Sequence, residues 1–530
     1  MSEWSRNRHV RRLLQFVILS AAIAHAAVYQ FSVPVGARRA YLWVPPECKQ
    51  VRGVAIAMSS LLERTVLEDP IIREAATAEC LGEVWIGPLP EGAQAPFTAD
   101  LKPGSEAAFQ KMFQDLAAES GYPEIEQAPL IAMGYGDSGQ LAWNIPNWNA
   151  ARTIAAIPIK TAPLPSLRFT GVPLCYLVGE TDELPQFDGE GPGDRDSFWP
   201  LLRNSVLAVR ASNPANLVSM VTDPGGGHFD WSERQARFVA LYIRKACRYR
   251  LPADGSHGLQ AIDPLSGWLT DSTGTDPERF TPAPYAKYKG DPKQAYWFFD
   301  AEMARAAALF AGDGKARERQ MLTFVQDGEP LPVAAQGFAA LRFEPESDGL
   351  SFRVAGTFLT QMPQELMGGG APLGHAAGPI TFRLIAGPAV QAGRDRFRVQ
   401  FNRGDIGGPI WIQEEHPGDV RYRHAVQPGQ VTIPARLTQG KPQTITFPRI
   451  LNQRAGEDSV ELRATSDSKL PVEYYVVAGP AEVDGHTLRL TAIPVRSRYP
   501  VKVTVVAYQW GRTPAYRSAD PVEQTFLIDR

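Results

Sequence analysis

The chain is predicted to combine a doubly wound α/β domain, built on a mostly parallel sheet, with C-terminal all-β sandwich modules. Three observations predict this. Between residues 51 and 250, short apolar runs alternate with amphipathic stretches of helical length. From about Pro332 onward, alternating runs such as Ala340-Leu-Arg-Phe and Arg396-Phe-Arg-Val-Gln-Phe are separated by Gly, Pro and Asp turns, the period-two pattern of half-buried strands. Finally, 530 residues exceed what a single hydrophobic core organises.

The elements follow in order. Arg6, Arg8, Arg11 and Arg12 precede an apolar stretch over residues 13–24 and the small-x-small site Ala24-His25-Ala26. That is the pattern of a secretory signal peptide over residues 1–26, too short for a stable membrane span, and it predicts a secreted or periplasmic protein. Its removal takes away four arginines and Glu3, moving the net charge from −3 to −6. Such a balance offers nothing to nucleic acid or to an anionic membrane. Residues 27–50 read as an antiparallel hairpin. Strands are expected at residues 54–58, 83–86, 130–133, 155–159, 174–178 and 217–221, and helices at 75–81, 106–120, 140–149, 197–211 and 232–246. Continuous apolar strands between helices indicate a parallel sheet covered on both faces. Of the four cysteines, Cys175 lies in an apolar run and reads as core, whereas Cys48, Cys80 and Cys247 leave room for one disulfide whose pairing the sequence does not specify.

Residues 251–330 are rich in aromatics, including Trp268, Tyr285, Tyr288, Tyr296, Trp297, Phe298 and Phe299, and are expected to pack on the α/β domain rather than offer a sugar platform to solvent. A β-sandwich module is expected over residues 331–446 and another over 447–530. Ile385-Ala-Gly-Pro-Ala in the first and Val477-Ala-Gly-Pro-Ala in the second hint that the two are related. The last module, in Phe447-Pro-Arg-Ile, Ala464-Thr-Ser-Asp-Ser-Lys-Leu-Pro-Val-Glu-Tyr, Ala478-Gly-Pro-Ala-Glu-Val-Asp-Gly-His and Val501-Lys-Val-Thr-Val-Val-Ala-Tyr-Gln, resembles the bacterial Ig-like repeats of exported proteins. That resemblance implies a spacer or adhesion role at the cell surface, without catalysis.

The chemistry concentrates in three places. Leu130-Ile-Ala-Met-Gly-Tyr-Gly-Asp-Ser-Gly-Gln-Leu-Ala-Trp is an apolar run, a glycine-packed turn and the start of a helix. Pro173-Leu-Cys-Tyr-Leu-Val-Gly-Glu-Thr-Asp ends a strand on acidic residues, and Asp223-Pro-Gly-Gly-Gly-His places His228 on a glycine loop between the last strand and the last helix. In order and spacing, residues 27–250 resemble an α/β-hydrolase domain. The resemblance implies a nucleophile elbow at 134–140, Asp182 as the acid that orients the base, with Glu180 and Glu183 as neighbours that could substitute, and His228 as the base. An oxyanion hole is implied at the backbone of Gly139 and of Ser59, in the loop Met58-Ser59-Ser60-Leu61, where Ser59 and Ser60 also suit helix N-caps.

Two frames of the elbow remain open. With Gly136-Asp-Ser138-Gly-Gln140 as the pentapeptide, Ser138 is the nucleophile; with Gly134-x-Gly136-x-Ser138-Gly139, glycine occupies the nucleophile position and the site is silent. Gly136-Asp-Ser-Gly is also like the serine motif of trypsin-like proteases, but those place a histidine upstream of the serine and residues 27–137 contain none. Gly134-x-Gly136-x-x-Gly139 imitates a dinucleotide fingerprint, yet residues 157–160 lack the ribose-binding acid. Acidic residues at 180–196 lack EF-hand spacing. No metal or other cofactor is expected. Two functions follow: an exported carboxylic-ester hydrolase using Ser138, His228 and Asp182, acting on a small-molecule ester or on acyl esters of carbohydrate, or a silent hydrolase-fold protein that binds a ligand in the old cleft.

Overall fold

The computed structural model describes residues 28–180, 198–213, 215–253, 258–271, 281–312, 317–332, 337–364 and 369–530. The expected signal peptide, Asp182, Glu183 and most of the acidic loop lie outside them. Eight strands form the main sheet: β1 (Phe31–Val35), β2 (Arg38–Trp43), β3 (Gly53–Met58), β4 (Leu81–Ile86), β5 (Leu130–Tyr135), β6 (Thr153–Ile159), β7 (Leu174–Gly179) and β8 (Val218–Asp223). Their order is β1-β2-β4-β3-β5-β6-β7-β8. β1 pairs antiparallel with β2, and β2 with β4; every later pairing is parallel. This is the mostly parallel, doubly wound sheet expected from the sequence, and β3 to β8 are buried along their whole length, including the polar Glu83 of β4 and Ser219, Thr222 and Asp223 of β8.

The helices are α1 (Glu63–Glu68), α2 (Pro70–Ala78), α3 (Glu106–Ser120), α4 (Leu141–Asn149), α5 (Phe198–Ser212) and α6 (Glu233–Arg250). The helix expected at 75–81 begins earlier and ends sooner. Asp69 caps it by accepting from Ile71 N at 2.9 Å, with Pro70 in the first turn, a pairing that fixes a helix start; Leu81 already belongs to β4. α1 was not anticipated. Six residues are too few to show a 3.6-residue period.

Cys48 and Cys80 form a disulfide, and Cys175 and Cys247 are buried thiols. Tyr296, Trp297, Phe298 and Phe299 are at most 2% exposed and join the apolar cluster of the main sheet. No helix among the described residues is long and apolar enough to cross a membrane.

Beyond residue 320 the chain is a succession of small, mainly antiparallel sheets, consistent with β sandwiches. A four-stranded sheet of Ala339–Leu341, Ala425–Ile433, Gly408–His416 and Thr381–Ala386 leads the first region, and Gln453–Arg454, Val522–Asp529, Val501–Tyr508 and Glu473–Ala478 form the main sheet of the second. The two Ala-Gly-Pro-Ala segments share one conformation. In each, the strand shifts register just before the glycine, the glycine has φ near +100° (Gly387 +101°, Gly479 +99°), and its carbonyl accepts from the alanine two residues on at 2.9 Å. A side chain at either glycine would lie 2.3 Å from a neighbouring carbonyl, so the repeated sequence encodes a repeated turn.

Candidate functional site

β5 runs through Tyr135, two residues further than its apolar core suggests, and the chain turns sharply at Gly136. Gly136 has φ +51°, the left-handed conformation an elbow apex imposes and glycine adopts without strain. A Cβ built there would stand 3.3 Å from His228 Nε2. Gly136 therefore occupies the apex, and the histidine expected to serve a nucleophile faces glycine.

Ser138 is turned elsewhere. It is buried, and its hydroxyl donates to Glu63 Oε1 while also lying 3.3 Å from the Tyr135 carbonyl. The expected Ser138–His228 hydrogen bond is not formed. The physical reason is the turn: two residues past the apex, Ser138 lies in the first 3-10 turn, Gly136–Gln140, and faces inward beneath the elbow. Tyr135 N donates to Glu63 Oε1 at 3.3 Å and to Ser138 Oγ at 3.4 Å.

Glu63 is the residue that sequence reasoning missed. Its second oxygen accepts from Ser60 N at 2.9 Å and from Leu61 N at 2.7 Å. Burial pushes its carboxyl above the usual range, against the pull of Ser138 and these backbone donors. The loop after β3, where an oxyanion hole was expected, has its amides committed: Ser60 and Leu61 to Glu63, and Ser59 N to the Ile86 carbonyl at 2.7 Å. Ser60-Leu-Leu-Glu63 is a Ser-x-x-Glu capping signature, which points to the contact with Ser60. Gly139 is a packing residue, since a side chain there would come within 2.2 Å of Thr161 Cβ.

His228 is held by its loop. Tyr135 OH donates between the His228 carbonyl at 2.7 Å and the Asp230 carbonyl at 2.8 Å. Asp230 pairs with the fully buried Lys160 at 2.8 Å, accepts from Gly227 N at 2.7 Å and takes the Gln235 amide at 2.9 Å. Hydrogen bonds on both sides of the histidine thus fix the loop. Of the candidate acids, Glu180 is described; it accepts from Gly225 N and pairs with Arg423 of the first β module, both at 2.8 Å.

That β module covers the strand ends. Phe229 stacks on Trp411 with ring centres 4.7 Å apart and packs edge-on to Phe338. Trp231 N donates to Gln413 at 3.1 Å, Arg383 reaches the Trp231 carbonyl, and Thr65 reaches Ile385. His228 is left 6% exposed. In open α/β sheets ligands approach at the C-terminal strand ends; here the β module occupies that approach.

No family model and no curated protein matches the chain. Among solved structures, a poly(3-hydroxybutyrate) depolymerase from Bordetella parapertussis is similar at 15% identity and a TM-score of 0.31, over 42% of this chain and 92% of its own. A soluble variant of monoglyceride lipase from Saccharomyces cerevisiae is similar at 8% identity and a TM-score of 0.30, over 44% of this chain and 98% of its own. An alpha-beta serine hydrolase homologue from Coxiella burnetii is similar at 11% identity and a TM-score of 0.27, over 41% and 95%.

Proposed function

We propose that this is an exported hydrolase-fold protein that has given up serine catalysis and uses the fold to bind a ligand. One observation carries the reading: the position facing His228 at the elbow is Gly136, with its Cβ site 3.3 Å from Nε2. A serine hydrolase needs a nucleophile within hydrogen-bond reach of its base, and Ser138 spends its hydroxyl on Glu63. The commitment of the Ser59, Ser60 and Leu61 amides adds to it, because donors already bonded to protein do not stabilise a developing oxyanion. Export rests on the N-terminal arginines, the apolar stretch and Ala24-His25-Ala26, and a cell-surface spacer role for residues 447–530 rests on the Ig-like motifs.

The retained His228 is the observation that favours the other reading, a carboxylic-ester hydrolase with Ser138, His228 and Asp182 acting on acyl esters of carbohydrate. Turnover of p-nitrophenyl acetate by wild type, Ser138→Ala and His228→Ala separates the two. The silent reading expects all three to match the protein-independent background. A wild-type rate that both substitutions abolish would establish the esterase instead.

A further inference from the structure

The three units of the chain meet around a cavity of about 770 Å³, within the range of small-molecule sites. α1 contributes Arg64 and Glu68, the first β module Gln400 and Arg403, and the second Glu482 and Arg489. Leu61, which lies 4.0 Å from the Cβ position of Gly136, also lines it, so the cavity adjoins the elbow on the β3 side.

Its charges do not all pair. Arg64 is neutralised by Glu68 at 2.8 Å and Asp405 at 2.9 Å, and Arg489 pairs with Asp484. Glu482 attracts Arg403 from a distance without forming an ion pair with it. Arg403 is 7% exposed and bonds the carbonyls of Gly479 at 2.9 Å and Ala481 at 3.2 Å, the second of the two repeated turns. Among the described residues no carboxylate pairs with Arg403, and its Nε–H has no hydrogen-bond partner. A buried guanidinium without a directly bonded counter-ion is costly; burial and the neighbouring Arg64 outweigh the more distant pull of Glu68 and Glu482 and lower its pKa to about 10. Gln400 lines the same cavity, and its side chain makes no hydrogen bond among the described residues.

We propose that this cavity binds a small polyhydroxylated carboxylate, with the acid group neutralising Arg403 and the hydroxyls meeting Gln400 and the polar walls. The assignment rests on the ligand-binding reading above and gives it a place and a chemical class. A guanidinium matches a carboxylate in geometry and charge, and an amide that both donates and accepts suits a hydroxyl. A phosphate dianion suits the site less well, because Glu68, Asp405, Glu482 and Asp484 line the walls, no lysine does, and Arg403 is the arginine of the lining that forms no ion pair among the described residues.

Calorimetric titration of the full chain with sodium glucuronate, glucose and inorganic phosphate tests the proposal. Saturable glucuronate binding is expected, with glucose and phosphate at least tenfold weaker. Arg403→Gln should weaken glucuronate tenfold or more. Gln400→Leu, which removes no internal hydrogen bond, should weaken it threefold or more and supplies the test if Arg403→Gln does not fold. Absence of glucuronate binding, glucose or phosphate binding as tightly, or an unchanged affinity in Gln400→Leu would overturn the assignment. Ester turnover in the same preparations keeps the two ideas apart. His228-dependent turnover with glucuronate binding intact removes the silent reading and leaves the cavity, whereas absence of both removes the cavity assignment alone.

Discussion

Replacing Ser138 with alanine distinguishes a structural serine from a catalytic one. In the structure its hydroxyl donates to the buried Glu63 carboxyl, and alanine leaves that oxygen with Tyr135 N at 3.3 Å as its remaining donor among the described residues. A hydrogen bond to a charged group contributes about 1.5–3 kcal/mol. For a domain of this size each kcal/mol moves the midpoint by about 2–4 °C, so Ser138→Ala should melt about 3–12 °C lower. The deficit should also depend on pH. Burial raises the Glu63 pKa and the Ser138 bond lowers it by favouring the carboxylate. The serine's contribution is therefore present where Glu63 is ionised and is lost as pH falls through the folded pKa of Glu63. Differential scanning fluorimetry at pH 5 and pH 8 should show the larger gap at pH 8. An unchanged midpoint at both pH values would refute the structural role.

Three further outcomes are expected. Glu414 is fully buried with neither oxygen hydrogen-bonded among the described residues, and burial raises its pKa well above the ordinary value. The folded state holds its proton more tightly than the unfolded one, so stability falls as pH rises above the unfolded pKa; Glu414→Gln should raise the melting midpoint at pH 8 and leave it unchanged at pH 4, and an equal effect at both would count against the assignment. Trp411→Ala removes the ring stacked on Phe229 and should speed modification of His228 by diethyl pyrocarbonate several-fold, read by peptide mapping; an unchanged rate would show that the β module does not shield the loop. Gly136→Ala places a side chain in the left-handed region, at about 1–2 kcal/mol, and against His228 Nε2, so chemical denaturation should show at least that loss; no loss would mean the apex lies elsewhere.

Much of the fold was legible because its causes are local. β3, β5 and β7 are continuous apolar runs, and Glu106–Ser120 ends where Gly121 turns left-handed with φ +81°. Ser232 and Gln235 form a reciprocal cap that starts α6. The elbow's frame was legible only as two alternatives, because a strand end that shifts by two residues exchanges Gly136 for Ser138. What was not legible is non-local. Glu63 reads as a local cap from Ser60-Leu-Leu-Glu63, but its contact with Ser138, 75 residues away, depends on the β3 loop lying against the β5 turn. The cover over His228 depends on Phe229 meeting Trp411 from another module, and the cavity on three units whose facing side chains share no sequence pattern.

Gly136, not Ser138, stands where a nucleophile would. Intact-mass analysis after exposure to a fluorophosphonate tests it most directly, since the reagent reports a serine activated by a base. No adduct is expected on the wild-type protein. A stoichiometric adduct mapped to Ser138 and lost in His228→Ala would contradict it.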